Sequence, residues 1–166
     1  MKKMIVILLT MVLAMVVSAC SGGKNSTDDK TTNVEASKSA KEMTEQMVTD
    51  VEQPALMELS AEEMQNLYNI DPAKLEDFSV RIPMMNTKTN EIAIFKVKDA
   101  NDVAEVEAAV KARAESVMKT FEHYLQDQYE NAKNHKIVVK GNYVLFVISD
   151  QADELIKVYD SFFEKK

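Results

Sequence analysis

The sequence predicts an α+β domain, in which a four-stranded and mainly antiparallel sheet carries its long helices on one face. Two observations predict this class. The chain contains two pairs of strand-like segments, and a short turn joins the members of each pair. A stretch with apolar residues three and four positions apart follows each pair, which gives the order ββαββα behind short N-terminal helices.

Short helices begin the domain. The first should start near residue 42 and end before Pro54, and its apolar face consists of Met43, Met47, Val48 and Val51. The sequence Ser60-Ala61-Glu62-Glu63 is a capping box, which predicts a second helix over residues 61–68. Asp71-Pro72 predicts one further helical turn.

The first pair of strands lies between residues 78 and 98. Phe78, Val80 and Ile82 alternate with polar residues, and Pro83 closes the run. Turn-forming residues then lead into a second strand over residues 91–98. We therefore expect these two strands to form a hairpin.

A long helix should follow, from about Asn101 to Gln126. One stripe of its surface is apolar, with spacings of three and four residues. The stripe consists of Val103, Val106, Val110, Ala114, Val117, Phe121 and Leu125. Residues 127–134 either continue this helix or form a separate turn.

The second pair of strands comprises residues 136–140 and 143–149. Gly141 stands at the first position of the turn between them, as a type II′ turn requires. The run from Tyr143 to Ile148 is apolar throughout, which indicates a central strand that is covered on both faces. A last helix follows, and its apolar stripe consists of Ala152, Leu155, Ile156, Tyr159, Phe162 and Phe163.

The composition excludes some classes of protein. Of the 166 residues, 27 are acidic and 20 are basic, for a formal net charge of −7. We expect no nucleic-acid partner, because contacts with phosphates need a basic face. The single cysteine excludes an intramolecular disulfide. We also predict no cofactor.

Residues 1–19 are predicted to be a signal peptide. Lys2 and Lys3 precede a mostly apolar run that is too short to span a membrane comfortably. The run ends in Val17-Ser18-Ala19-Cys20, which resembles the lipobox of bacterial lipoproteins. That resemblance implies that the thiol of Cys20 receives a diacylglycerol and that the leader is cut just before it. The alternative is an uncleaved N-terminal anchor in which Cys20 is incidental.

We expect residues 20–41 to comprise the lipidated cysteine and a flexible linker, and residues 42–166 to form a single α+β domain. The linker has few large apolar residues, so burial could not offset its ordering entropy. Loss of Lys2 and Lys3 with the leader changes the net charge from −7 to −9. The expected location is the extracytoplasmic side of the cell membrane, where the acidic domain stands off the anionic surface on its lipid anchor.

A second resemblance covers roughly residues 57–166. It rests on Asn86 and on the segments EIAIFKVK (91–98), DQYE (127–130) and VKGNYVLFVISD (139–150). With these segments the chain resembles a family of small Gram-positive lipoproteins that carry an uncharacterised domain. The resemblance implies an exported, tethered domain, and it transfers no activity and no binding residue.

Two surfaces are candidates for binding. Met84 and Met85 enter a turn, where exposed thioethers could form an adaptable contact patch. The second surface groups carboxylate, amide and phenol side chains where the long helix should end, and it consists of Asp127, Gln128, Tyr129 and Glu130. The alternative for that segment is a helix terminus whose Tyr129 fills the edge of the core.

A metal site depends on the course of the long helix. If the helix continues past residue 126, His123, Asp127 and Glu130 share one of its faces and could ligate a metal ion. The alternative, which we favour, is a solvated polar face without a metal.

These features together favour a lipid-anchored extracytoplasmic domain that acts as a non-catalytic binding or protein-interaction module. Its ligand would be a small molecule, a fragment of the cell wall or a protein partner. One alternative is a small cell-envelope hydrolase or transferase that uses carboxylates, with His123 as a further group. Another is a structural subunit of a membrane complex.

Overall fold

The computed structural model describes residues 34–164. The predicted signal peptide, Cys20 and the first part of the predicted linker lie outside these residues, so their roles stay predictions. In chain order, the elements are α1 (Ala40–Asp50), β1 (Leu56–Glu58), α2 (Ala61–Tyr68), β2 (Leu75–Pro83), β3 (Glu91–Val97), α3 (Val103–Phe121), α4 (Gln126–Lys133), β4 (Lys136–Lys140), β5 (Tyr143–Ile148) and α5 (Ala152–Ser161).

The strands of the described chain form one antiparallel sheet in the order β1-β2-β3-β5-β4. The α+β class is therefore confirmed. The sheet has five strands rather than the four predicted, because the three-residue strand β1 pairs with β2 and places Met57 beside Ile82. A strand of this length is too short to show alternation in the sequence.

Helices cover both faces of the sheet. The long helix α3 lies on one face and the last helix α5 on the other, which corrects the expectation that the long helices share one face. Helices α2, α3 and α4 pack against one set of strand residues, and α1 and α5 pack against the alternate set. Phe95 and Phe146 belong to the first core, whereas their sequence neighbours Ile94 and Leu145 belong to the second. Every residue of β5 is buried, so the prediction of a central, doubly covered strand is confirmed.

The chain ahead of α1 already belongs to the folded unit. The Glu35 carboxylate accepts hydrogen bonds from Lys96 Nζ at 2.9 Å and from the Tyr143 hydroxyl at 3.2 Å. Helix α1 begins at Ala40, slightly before the expected start. Residues 35–39, which fall within the predicted linker, therefore lie against the domain.

The long helix α3 ends at Phe121, ahead of its predicted end at Gln126. Leu125 has an extended backbone, with φ −132° and ψ 102°, and its side chain packs against the first core. This extended residue interrupts the helical hydrogen bonds, so α4 is a separate helix. The alternative left open for residues 127–134 is thereby settled in favour of a new element.

Both cores are built from side chains within the described range. No helix of residues 34–164 is long and apolar enough to cross a membrane. The chain from Ser21 onward keeps every core contact that the structure describes. Because a unit of this size buries enough surface for independent stability, we expect it to fold without residues 1–20.

Candidate functional site

The start of β3 and the end of β5 lie side by side at one end of the sheet, where Glu91 pairs with Ile148. The loop of residues 84–90 joins β2 to β3 at this end. Helix α4 holds the loop, because Thr89 donates its backbone N–H to Gln128 Oε1 at 3.0 Å. Two clefts open beside the loop.

The first of these, which we call the Arg113 cleft, has a volume of about 240 Å³. Strand β2 and helix α3 supply apolar walls, and the loop supplies the exposed side chain of Met85. The lining includes the apolar Ile82, Val117 and Phe121 and the charged Lys88, Glu91 and Arg113. The cleft therefore combines apolar walls with a charged floor.

That floor is a buried ion pair between β3 and α3. Arg113 donates from Nε to Glu91 Oε1 at 3.0 Å and from Nη2 to Oε2 at 2.7 Å, and Glu91 is only 1% exposed. The Tyr68 hydroxyl of α2 donates to the same carboxylate. Burial, followed by the Glu91 charge, raises the pKa of Tyr68 well above its ordinary value, so the phenol stays protonated. The ion pair and the bond from Tyr68 together join β3, α3 and α2 through charge-assisted hydrogen bonds.

The second cleft, which we call the polar cleft, has a volume of about 510 Å³. Amide and carboxyl side chains make up most of its lining: Glu52, Gln53, Asn90, Asp127, Gln128, Asn131, Asp150 and Gln151. Gln53 Oε1 accepts hydrogen bonds from Asn90 Nδ2 and from the Ser149 hydroxyl, each at 3.1 Å. Because Asn90 and Ser149 are buried, these bonds fix the strand ends beneath the cleft.

Asp127 stands where the polar cleft meets a neighbouring groove. The groove has a volume of about 430 Å³, shares Asp127 with the polar cleft and is also lined by Glu130 and Asp153. The amide of Gln128 donates to Asp127 Oδ2 at 2.9 Å, and this bond lowers the pKa of Asp127, with a smaller contribution from Lys88. Asp127 is therefore ionised at neutral pH and adds negative charge to this surface.

Most of the residues singled out from the sequence lie at this end of the sheet. Met84 and Met85 are both exposed, and Met85 lines the Arg113 cleft. Asp127 and Gln128 line the polar cleft. Tyr129 packs against the first core, as its alternative interpretation expected. The methionine surface and the α4 surface are thus two sides of one region.

The residues considered for a metal do not share a helix. The break at Leu125 leaves His123 in the turn between α3 and α4, with its side chain 90% exposed, whereas Asp127 and Glu130 lie on α4. The condition for the metal site, one continuous helix, is therefore not met. Within residues 34–164, no group of three or more His, Cys, Asp or Glu side chains could hold a metal ion.

The sequence analysis did not select Glu91 or Arg113 as site residues. Each nevertheless leaves a signal in the sequence, because it is a charged residue at a position that faces inward. The chain has only two arginines among its 20 basic residues, and Arg113 lies three positions after Val110 and four before Val117 on the apolar stripe. Glu91 lies two positions before Ala93, on the same face of β3 as Ala93 and Phe95. Opposite charges at two inward positions indicate a buried pair.

Comparison with known proteins identifies a family. Residues 47–149 match the family described as Domain of unknown function (DUF4358), and this match spans more than half of the chain. No curated protein and no solved structure matches the chain. The matched range runs from α1 to the end of the sheet and includes Glu91, Arg113 and Asp127. The chain therefore belongs to the DUF4358 family.

Proposed function

We propose that this protein is a binding module, lipid-anchored at the outer face of the cell membrane, that takes a fragment of the cell wall in the polar cleft. One observation carries the proposal: an open cleft is lined by hydrogen-bonding side chains that buried partners hold in place. Gln128, for example, is buried and bonded to both Thr89 and Asp127. Groups fixed before binding lose little entropy when a ligand arrives.

The chemistry of the polar cleft favours a ligand with many donors. Glu52, Asp127 and Asp150 supply carboxylate oxygens, and the amide side chains add carbonyl oxygens. Lys88 is the one cationic side chain in the lining. Cell-wall fragments carry peptide N–H groups, ammonium groups and sugar hydroxyls, which are the donors that such a lining accepts.

Binding is tested with the chain from Ser21 onward and a purified disaccharide-tetrapeptide from the cell wall. We expect saturable heat of binding by calorimetry, and we expect Asp127→Asn or Asp150→Asn to weaken it about tenfold or more, because each change removes a charged acceptor. Glu107→Gln on α3 removes the same charge outside the cleft and should leave binding unchanged. Absence of saturable binding, or equal weakening by Glu107→Gln, would refute the proposal.

The anchor is tested separately in the full chain. Cys20→Ala should abolish incorporation of a fatty-acid label, because the thiol that would accept the lipid is gone. Ser21→Ala is the matched control and should label like the parent. Equal labelling of the Cys20→Ala protein would show that the anchor has been assigned wrongly.

A further inference from the structure

We infer that the Arg113 cleft is a second binding site, for a small ligand that carries a carboxylate next to an apolar group. The inference goes beyond the proposed function and uses a different cleft. It rests on the hydrogen-bonding capacity of Arg113, on the charge of the lining and on the size of the cavity.

The ion pair on the floor presents a cation to a ligand. Both oxygens of Glu91 already accept hydrogen bonds, and this carboxylate is almost fully buried. A guanidinium has five N–H donors, and the bonds to Glu91 use two of those of Arg113. The side chain of Arg113 is 16% exposed and lines the cleft. Its remaining donors suit the two oxygens of a carboxylate.

Lys88 adds a second positive charge to the same lining. Glu91 is the one acidic residue among the side chains that line this cleft, so Lys88 and Arg113 leave it with a net charge of +1. That local excess occurs in a chain whose net charge is −7. Lys88 also makes a small contribution to the lowered pKa of Asp127 on the other side of the loop, so its charge acts on both clefts.

The walls and the volume limit the rest of the ligand. Ile82, Val117 and Phe121 are apolar, and Met85 at the mouth has a flexible thioether that can adapt to a ligand. The volume of about 240 Å³ admits only a small ligand. A short acyl chain or the end of a small N-acylated amino acid fits this space.

The test uses the methionine methyl groups of the chain from Ser21 onward, labelled with ¹³C. Sodium hexanoate represents a free acid, and N-acetylvaline represents an N-acylated amino acid. We expect one or both to shift the Met85 methyl resonance saturably while Met57, outside this cleft, stays in place. Hexan-1-ol should shift Met85 much less. Equal shifts with hexanol, or general shifts of all methyl groups, would overturn the inference.

Charge variants make the test specific. Lys88→Gln should weaken binding of the carboxylate by about fivefold or more, because it removes a positive charge from the lining. Lys98→Gln removes the same charge beyond the other end of β3 and should have no effect. Affinity that is equal in the Lys88→Gln and Lys98→Gln proteins would also overturn the inference. Neither result bears on the wall-fragment experiment, because that experiment follows a different ligand.

Discussion

Arg113→Ala should lower the free energy of unfolding by about 3–5 kcal/mol, because the Glu91 carboxylate then stays buried without its cation. Glu91 is 1% exposed and receives both of its bonds to Arg113 within 3.0 Å. The measurement is urea unfolding of the chain from Ser21 onward, followed by circular dichroism. A lower midpoint with an unchanged slope of the unfolding free energy against urea concentration would show that the stability changed and the unfolded state did not.

Two controls separate the buried pair from charge in general. Lys111 pairs with Glu107 at 2.6 Å on the surface of the same helix, and Lys111→Ala should change stability by only about 0.5 kcal/mol or less. Replacing both partners, as Glu91→Leu with Arg113→Met, should recover much of the loss, because no charge is then left buried. If Arg113→Ala costs as little as Lys111→Ala, the pair does not stabilise the fold.

Leu145→Ala should destabilise the protein by about 2–5 kcal/mol, the range for removing a large aliphatic side chain from a core. Leu145 is fully buried in the second core, on the face of the sheet that α1 and α5 cover. Had the helices covered one face alone, Leu145 or its neighbour Phe146 would face solvent. Urea unfolding of the Leu145→Ala and Phe146→Ala proteins therefore tests the two-sided arrangement, and both should lose stability.

Val139→Ala is the matched control for the sheet. Val139 is 42% exposed on the outermost strand β4, so its replacement should change the free energy of unfolding by about 0.5 kcal/mol or less. A loss for Leu145→Ala no larger than that for Val139→Ala would contradict the second core.

Local patterns were enough to predict most of the elements. Both hairpins combine alternating or apolar strands with turn residues, and Gly141 has the positive φ of 55° that the predicted turn needs. The capping box at Ser60 and Glu63 is present at the start of α2. These features depend on residues close together in the chain, so the sequence alone displays them.

Features that depend on distant contacts were harder to predict. Strand β1 exists because β2 lies beside it, and the break at Leu125 exists because its side chain packs into the first core. The second covered face follows from α1 and α5, which are far apart in the sequence and pack together. The apolar run of β5 indicated double coverage, yet it did not say which helices supply it.

The candidate site also combines features that the sequence alone displays with features that depend on distant contacts. Met85, Asp127 and Gln128 could be selected because their side-chain chemistry suits recognition. That Lys88 lies between two clefts could not be predicted, because the clefts form only when α3 and α4 pack beside the loop. Glu91 and Arg113 each leave a signal in the sequence as a charge at an inward position, but they are 22 positions apart, so the geometry of their pairing is seen only in the folded chain.

The contacts of Glu35 bear on how the protein would be oriented in a cell. Glu35 reaches Lys96 and Tyr143, which pair at one end of β3 and β5, while Glu91 and Ile148 pair at the other. The seven residues of β3 separate these ends by about 20 Å. If the proposed anchor at Cys20 holds the protein, the chain enters its domain at the Lys96–Tyr143 end of the sheet. The Arg113 cleft and the polar cleft both open at the other end. If the proposed anchor and binding function hold, ligands would reach both clefts at the end of the domain opposite the entry of the chain.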